Sequence, residues 1–247
     1  MSQNQRQSEL VARYMKDKKV TFEVHAHMAL FADPIISAGG EKTTYSAPTY
    51  EAIKGVCKSI YWKPTFIWVV DKVRIMNEIK TEVSGKKLLR TNGTNDLANY
   101  TYLTDVSYQV MAHIEWNENR SEYKGDRDWL KHYNIFAKSL MRGGRLPVFL
   151  GKSECSAYVT PIEFGVGKSF YDGTGRINLG LMYHGITYPD EAYSEETKDA
   201  LTLDFAPVIM ENGIIEYKRP DECIHKKIRS GEMKQFIEKE GEENGTV

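Results

Sequence analysis

Two long stretches of the chain alternate between apolar and polar residues. In the stretch from Val20 to Phe31 every second position from Val20 to Leu30 is apolar, and Thr21, Glu23, His25 and His27 fall on the opposite face. The stretch from Val106 to Trp116 alternates in the same way. A period of two is typical of half-buried strands, so both stretches are predicted to be strands with one face in the core.

Two further stretches have helical spacing. Pro48 suits the first turn of a helix with Ser46 as its cap, and the apolar residues that follow share one helical face as far as Ile60. Asp128 can cap a second helix, which runs from Trp129 to about Met141. Each helix is predicted to bury its apolar stripe against the strands.

Shorter segments rich in β-branched and aromatic residues are predicted to be the remaining strands. They are Thr65 to Val70, Val73 to Ile79, Leu146 to Leu150, Tyr158 to Phe164, Ile177 to Tyr183, and Val208 to Tyr217. The segment from Lys80 to Asn99 is predicted to be an exposed loop or hairpin tip, and Asn212-Gly213 a hairpin turn. The order of elements predicts an α+β protein: a decorated ferredoxin-like fold followed by a small antiparallel sheet.

Four regions follow from this order. Residues 1–19 are predicted to be a polar N-terminal extension, 20–152 a ferredoxin-like domain, 153–225 a C-terminal antiparallel sheet and 226–247 a charged tail. The 247 residues are enough to bury a substantial core, and 41% hydrophobic and 27% charged residues are typical of a globular protein.

Composition also bears on the cellular compartment in which the protein is expected. No apolar run approaches the length of a membrane span, and the first residues lack the pattern of a signal peptide. The three cysteines are far apart and form no CxxC pair, so neither a disulfide framework nor a structural zinc site is indicated. A reducing cytoplasm is therefore the expected location.

A local basic stretch stands out against a net charge of −1. The net charge argues against indiscriminate nucleic-acid binding, but Trp129 to Arg145 contains four basic residues and no acid. Lys131-His132 lies in this stretch. Metal-free RNA cleavage uses the neighbouring 2′-hydroxyl as nucleophile, and it needs proton transfer, which a histidine can supply, and positive charge, which a lysine can supply. The alternative is a surface histidine beside a solvated lysine.

Two other segments can contact RNA. Tyr61-Trp62-Lys63-Pro64 ends the first helix, where the aromatic rings can stack on bases and Lys63 can bind phosphate; the alternative is a core aromatic that closes the helix. Tyr61, a poor base at neutral pH, would orient a hydroxyl or phosphate. In Arg142-Gly143-Gly144-Arg145 the glycines allow close backbone approach and the arginines can bind phosphate, although a plain helix stop explains the glycines equally well.

Metal chemistry has two weaker candidates. His25 and His27 share a strand face with Glu23, a spacing that could chelate a metal, but no further ligand is evident. Asp126 and Asp128 could serve a metal-dependent nuclease, while helix capping and surface salt bridges explain them more simply. No metal site and no cofactor are predicted.

Eight short motifs together resemble one family closely, from about Val20 to about Cys223. They are Ala29-Leu30-Phe31-Ala32-Asp33-Pro34, Gly39-Gly40-Glu41-Lys42, Tyr45-Ser46-Ala47-Pro48-Thr49-Tyr50, Ser59-Ile60-Tyr61-Trp62-Lys63-Pro64, Asn99-Tyr100-Thr101-Tyr102-Leu103, Lys131-His132-Tyr133, Gly143-Gly144-Arg145 and Tyr171-Asp172-Gly173. The sequence resembles the subtype I-C (Dvulg) CRISPR endoribonucleases of the RAMP superfamily. The resemblance implies a ferredoxin-like (RRM-like) domain followed by a small C-terminal antiparallel sheet.

The resemblance also implies a biochemical function. Such a protein cuts CRISPR precursor RNA at the base of the repeat hairpin without a metal, and then stays on the 5′ handle as a subunit of the type I-C interference complex. The family's catalytic residues correspond to Tyr61, Lys131 and His132, and its glycine-rich RNA-contacting loop to Arg142 to Leu146.

Expected partners are the repeat RNA and the backbone and large subunits of that complex, with no membrane; DNA binding stays open. Two alternatives remain: a handle-binding subunit that does not cut, and a metal-dependent DNA nuclease.

Overall fold

The computed structural model describes residues 18–33, 42–89, 93, 95–195 and 197–231. Most of the predicted N-terminal extension, and the charged tail beyond residue 231, lie outside the described residues. Among those residues no helix is long and apolar enough to cross a membrane.

Within these ranges the chain forms one eleven-stranded sheet and two α-helices. The helices are α1, Tyr50–Ile60, and α2, Trp129–Leu140. The strands are β1 Lys19–Ala29, β2 Lys42–Thr43, β3 Phe66–Ile75, β4 Lys80–Leu89, β5 Asn95–Trp116, β6 Val148–Phe149, β7 Ser156–Pro161, β8 Arg176–Thr187, β9 Ala200–Glu211, β10 Ile214–Glu216 and β11 Ile224–Ser230.

The sheet is antiparallel apart from the short β2, which runs parallel to β5. Its strands follow the order β11-β9-β10-β3-β5-β1-β7-β6, with β2 and β4 also paired to β5 and β8 paired to β9. The 22-residue β5 is central, because β1 and β3 pair with its second half and β2 and β4 with its first.

The predicted strand β1 and the second half of β5 are confirmed, and β1 alternates as predicted, whereas in β5 the polar residues Ser107 and Gln109 are buried as well. Val20, Phe22 and Val24 are buried, whereas His25 and His27 are exposed. Both helices pack apolar faces on this core, α1 through Ile53, Val56, Cys57 and Ile60, and α2 through Tyr133, Phe136 and Leu140. Burial of each such large side chain contributes about 1.5–3 kcal/mol. The packing brings the end of α1 and the first turn of α2 together over the same sheet.

The structure corrects three local predictions. The cap of α1 is Thr49, whose hydroxyl accepts a hydrogen bond from the Ala52 N–H at 3.2 Å, so the assignment of Ser46 was wrong. The two strands predicted between residues 65 and 79 are one strand, β3, with a register shift between Val70 and Lys72. The predicted loop from residue 80 to 99 is largely strand, since β4 pairs along the first half of β5.

The C-terminal strands are arranged differently from the prediction. The segment predicted from Tyr158 to Phe164 is β7, which pairs with β1 and not with the later strands. The Asn212-Gly213 turn is confirmed, with φ of 49° and 82°, the positive values that a tight hairpin requires. Hydrogen bonding then continues from β10 to β3, so the later strands extend the first sheet. The division at residue 152 stays a prediction.

Candidate active site

The ends of the two helices bring together Tyr61 and His132, which are 71 positions apart in the chain. Tyr61 follows α1 in an extended conformation, and its N–H donates to the Cys57 carbonyl at 3.0 Å. His132 lies in the first turn of α2. The Tyr61 hydroxyl oxygen is 2.9 Å from His132 Nδ1, and each residue is only 1% exposed.

The partners of the imidazole fix its tautomer. His132 Nε2 lies 2.8 Å from the backbone carbonyl oxygen of Asp126, which can only accept a hydrogen bond. Nε2 therefore carries the hydrogen, and in the neutral ring Nδ1 offers a lone pair. It follows that the Tyr61 O–H donates to His132.

Asp126 forms hydrogen bonds with two other polar side chains of the site. Its carboxylate accepts a hydrogen bond from the Lys131 ammonium and another from the Thr65 hydroxyl, the latter at 2.7 Å. The hydrogen bond from Lys131 lowers the pKa of the Asp126 carboxyl, and Thr65 and His132 add to this effect against partial burial. Asp126 is therefore an anion that holds Lys131 in place, while its own carbonyl holds His132.

Aromatic rings enclose the pair. The imidazole of His132 lies 5.1 Å from the ring of Phe66 and 5.9 Å from that of Trp116, measured between centroids. Burial raises the pKa of the Tyr61 phenol, an effect that Asp126 increases and the Arg145 guanidinium opposes. The phenol therefore keeps its proton at neutral pH and acts as a donor.

The glycine-rich loop docks on the end of α1. The N–H groups of Arg145 and Leu146 both donate to the Ser59 carbonyl, at 3.1 and 3.0 Å. Gly143 and Gly144 turn the chain with φ of 83° and 105°, where other residues are strained. The two glycines end α2, as predicted from the sequence, and the turn that they form also places the loop of Arg145 next to Tyr61.

Arg145 lies over the phenol. Its guanidinium carbon is 4.6 Å from the centroid of the Tyr61 ring, and its Nε donates to the Ser139 hydroxyl at 3.2 Å. Arg145 and Lys131 are exposed, so the buried Tyr61–His132 pair lies beneath two accessible cations. Lys63 and Arg142 are also exposed, and their contact with RNA stays a prediction.

The candidate metal ligands have other partners. Asp128 caps α2 by accepting a hydrogen bond from the Lys131 N–H at 3.2 Å, and Asp126 is engaged as described. His25 stacks on Tyr158 with 5.7 Å between ring centroids, and Glu23 accepts a hydrogen bond from Ser107 at 2.6 Å. Within the described ranges no group of three or more His, Cys, Asp or Glu residues is placed to hold a metal ion.

The fold and the site define an α+β protein, mostly antiparallel sheet, with a buried tyrosine–histidine pair beneath exposed cations. The sequence model of one family, the Cas5d group described as CRISPR-associated protein (Cas_Cas5), matches residues 20–218. The chain belongs to this family, which confirms the resemblance seen in the sequence motifs.

Two curated relatives carry the name CRISPR pre-crRNA endoribonuclease Cas5d. The protein of Mannheimia succiniciproducens is 24% identical over 148 residues, which cover 51% of this chain and 64% of that protein. The protein of Thermus thermophilus is 22% identical over 184 residues, covering 70% of this chain and 75% of that protein. The first match thus spans less than two thirds of the relative's length.

Two solved structures are similar over most of the chain. One, described as the crystal structure of a CRISPR-associated protein, has a TM-score of 0.70 and 32% identity, and the match covers 85% of this chain and 96% of that one. The other is a functionally uncharacterized protein from Streptococcus mutans, with a TM-score of 0.70, 35% identity, and coverage of 85% and 97%. Their similarity supports the α+β architecture.

Proposed function

We propose that this chain is a metal-independent endoribonuclease that cuts CRISPR precursor RNA at the base of the repeat hairpin and then holds the 5′ handle. The observation that carries the proposal is the hydrogen bond from the Tyr61 hydroxyl to His132 Nδ1, with Lys131 fixed beside it through Asp126. These groups supply the donor, the proton acceptor and the cation that 2′-hydroxyl attack requires.

In the proposed reaction the 2′-hydroxyl oxygen attacks the adjacent phosphorus and the bond to the 5′-oxygen breaks. His132 takes the 2′-hydroxyl proton at Nδ1, the ring nitrogen without a hydrogen, once the Tyr61 hydroxyl has turned from Nδ1 to the phosphate. The Tyr61 hydroxyl orients the phosphate, and Lys131 stabilises the charge that grows on its oxygens. The departing 5′-oxygen gains a proton from water, and the products are a 2′,3′-cyclic phosphate and a 5′-hydroxyl.

Burial of the pair sets a condition on this reaction. Tyr61 and His132 are each 1% exposed, and the Arg145 guanidinium covers the phenol at 4.6 Å. RNA phosphate competes for that guanidinium, since Arg binds phosphate through paired hydrogen bonds. Movement of Arg145 from the ring to a phosphate would open the pair to the RNA.

We infer that the core of the fold is a ferredoxin-like (RRM-like) RAMP domain. Its support is the strand order β7-β1-β5-β3, with α1 between β1 and β3 in the chain and α2 between β5 and β7. That is the order of a βαββαβ unit, to which β2 and β4 are additions. In this view β8 to β11 form the C-terminal extension.

Partners follow from the same proposal. The chain would bind the repeat RNA and, after cleavage, the backbone and large subunits of a type I-C interference complex. The names of the two curated relatives, which state pre-crRNA cleavage, support the RNA substrate. A reducing cytoplasm would suit its three free thiols.

The deciding experiment incubates labelled repeat RNA with the protein in EDTA. Cleavage is expected to persist, to leave a 5′-hydroxyl and a 2′,3′-cyclic phosphate, and to stop when the 2′-hydroxyl at the cut site is replaced by hydrogen. Bound but intact RNA would identify a handle-binding subunit without nuclease activity. Cleavage of the deoxy substrate at the same bond would refute the mechanism.

A further inference from the structure

A second cationic site lies away from the tyrosine–histidine pair, on the ring of Tyr100. The Lys42 nitrogen is 5.1 Å from the centroid of that ring, and the Lys152 nitrogen is 5.8 Å from it. The two ammonium groups are close enough that Lys42 lowers the pKa of the Lys152 amine. Among the described residues neither lysine forms an ion pair with a carboxylate.

Backbone pairing places the two lysines in this arrangement. Lys42 lies opposite Tyr100 in the register between β2 and β5. Lys152 lies in a tight turn, in which the Leu150 N–H donates to the Cys155 carbonyl and the Cys155 N–H to the Lys152 carbonyl, both at 2.9 Å. Tyr100 is buried, so its position is also fixed.

A glycine fixes the turn against the end of β1. Gly151 has a φ of 90°, and a Cβ at this position would lie 1.9 Å from the Leu30 carbonyl oxygen. Leu30 in turn donates its N–H to the Leu150 carbonyl at 3.1 Å. The approach of the turn to β1 therefore requires glycine, and it is what brings Lys152 to Lys42.

The surrounding charges add one cation and two anions. Lys86 lies 5.7 Å from the centroid of the Tyr102 ring, and the Tyr102 hydroxyl donates to Glu154 at 3.2 Å. Glu82 faces Tyr102 from β4. The distinctive feature is thus the pair of ammonium groups on one ring, which repel each other until an anion binds between them.

A groove of about 410 Å³ runs along α1 beside the turn of Lys152. Its lining includes Lys152 and Ser59, whose carbonyl anchors the loop of Arg145. Gly55 leaves open space on the face of α1 between them. An extended strand bound at the tyrosine–histidine pair could continue along this groove.

We propose that Lys42 and Lys152, held over Tyr100, bind a phosphodiester group of the substrate RNA at a position remote from the bond that is cut. The proposal rests on the function proposed above. A phosphodiester suits the pair because its two non-bridging oxygens can accept one hydrogen bond from each ammonium. The site would contribute affinity for the RNA and would take no part in the chemistry.

The test compares the Lys42→Ala/Lys152→Ala double variant with wild type, using repeat RNA made uncleavable by a 2′-deoxy substitution at the cut. The control, Lys226→Ala/Lys227→Ala, removes the same charge from exposed positions on β11. Affinity should fall by about tenfold or more in the first variant, as expected for two lost charged hydrogen bonds. The slope of log affinity against log salt should fall by about 1.4, and the control should change little.

A Lys42→Arg/Lys152→Arg variant should restore most of the affinity, and single-turnover cleavage at saturating enzyme should stay near the wild-type rate in all variants. If wild type binds and cuts the RNA while the alanine pair matches it in affinity and salt slope, this inference alone fails. An equal loss in the β11 control would also overturn it. If wild type neither binds nor cuts, the proposed function fails and this inference with it.

Discussion

The Tyr61 hydroxyl donates a hydrogen bond to His132 Nδ1 across 2.9 Å, because the other ring nitrogen donates to the Asp126 carbonyl at 2.8 Å. The direction of this bond makes His132 a proton acceptor before any substrate arrives. It also means that each residue of the pair depends on the other for the satisfaction of a buried polar atom.

Tyr61→Phe removes the hydroxyl and keeps the ring. We expect slower single-turnover cleavage with RNA affinity nearly unchanged, and a loss of about 1–3 kcal/mol in unfolding free energy because Nδ1 loses its buried donor. Denaturant unfolding and cleavage assays measure the two effects separately. Wild-type cleavage by a folded Tyr61→Phe variant would remove the phenol from the mechanism.

His132→Ala and Lys131→Ala should each slow cleavage on the order of 10²–10⁴-fold, as is common when an acid–base or charge-stabilising group is lost. Binding of uncleavable RNA should change far less. His27→Ala is the matched control for His132→Ala, since His27 is exposed on β1, a strand that contributes no residue to the candidate site. If the His132→Ala variant is folded and cuts at the wild-type rate, His132 has no part in the reaction.

Asp126→Asn separates the two roles of Asp126. The backbone carbonyl that holds His132 remains, but the ion pair with Lys131 is lost, so cleavage should slow while RNA binding persists. The folded pKa of Asp126 is lowered, so its stabilising contribution is present above the unfolded value of about 3.9 and is lost as pH falls through the folded value. The melting temperatures of wild type and variant should differ at pH 7 and converge in acid. A constant difference across this range would contradict the ion pair.

Arg142 and Arg145 are expected to bind phosphate. Alanine at each position should weaken repeat binding and reduce the salt slope by about 0.7 per contact on single-stranded RNA. The rate at saturating enzyme should change much less, because these residues contribute binding that is equal in ground and transition states. An unchanged salt slope in the double variant would indicate that neither arginine contacts an RNA phosphate.

Gly151→Ala tests the backbone contact that positions Lys152. A Cβ there would lie 1.9 Å from the Leu30 carbonyl oxygen, whereas at Gly165, with a similar φ of 92°, it would meet nothing within 4 Å. Gly165→Ala therefore measures the backbone strain alone. Gly151→Ala should be less stable than this control by about 1–3 kcal/mol, the usual cost of overpacking. Equal unfolding free energies for the two variants would show that the turn can move.

The sequence predicted the parts of the fold that follow from local periodicity. Alternation located β1 and the second half of β5, and Asp128 marked the start of α2 correctly. The β4 strand was missed because it is mostly exposed on both faces, so nothing in its sequence alternates. Thr49 and Ser46 both carry a hydroxyl, and only the backbone geometry after Pro48 decides which one caps α1.

The site was predictable only in part. Resemblance to the family singled out Tyr61, Lys131 and His132, and the fold places them together. The roles of Thr65 and Asp126 in the site could not be predicted from the sequence. The carbonyl and the carboxylate of Asp126 lie at the end of a short 3-10 helix, Ser121–Asp126, and only tertiary packing places that helix beside His132 and Thr65. The burial of the pair likewise depends on residues from three separate elements.

The β5 strand passes both sites. Trp116 contacts the His132 ring near one end, and Tyr100 lies beneath the two lysines near the other. Between them Asp105 has a φ of 50°, which interrupts the side-chain alternation, so Tyr100 packs in a second cluster while Trp116 packs against the main core. Inserting or deleting a single residue between Asp105 and either ring would turn that ring to the opposite face. Relatives that keep both sites must therefore conserve the length of each half of the strand, whatever residues fill it.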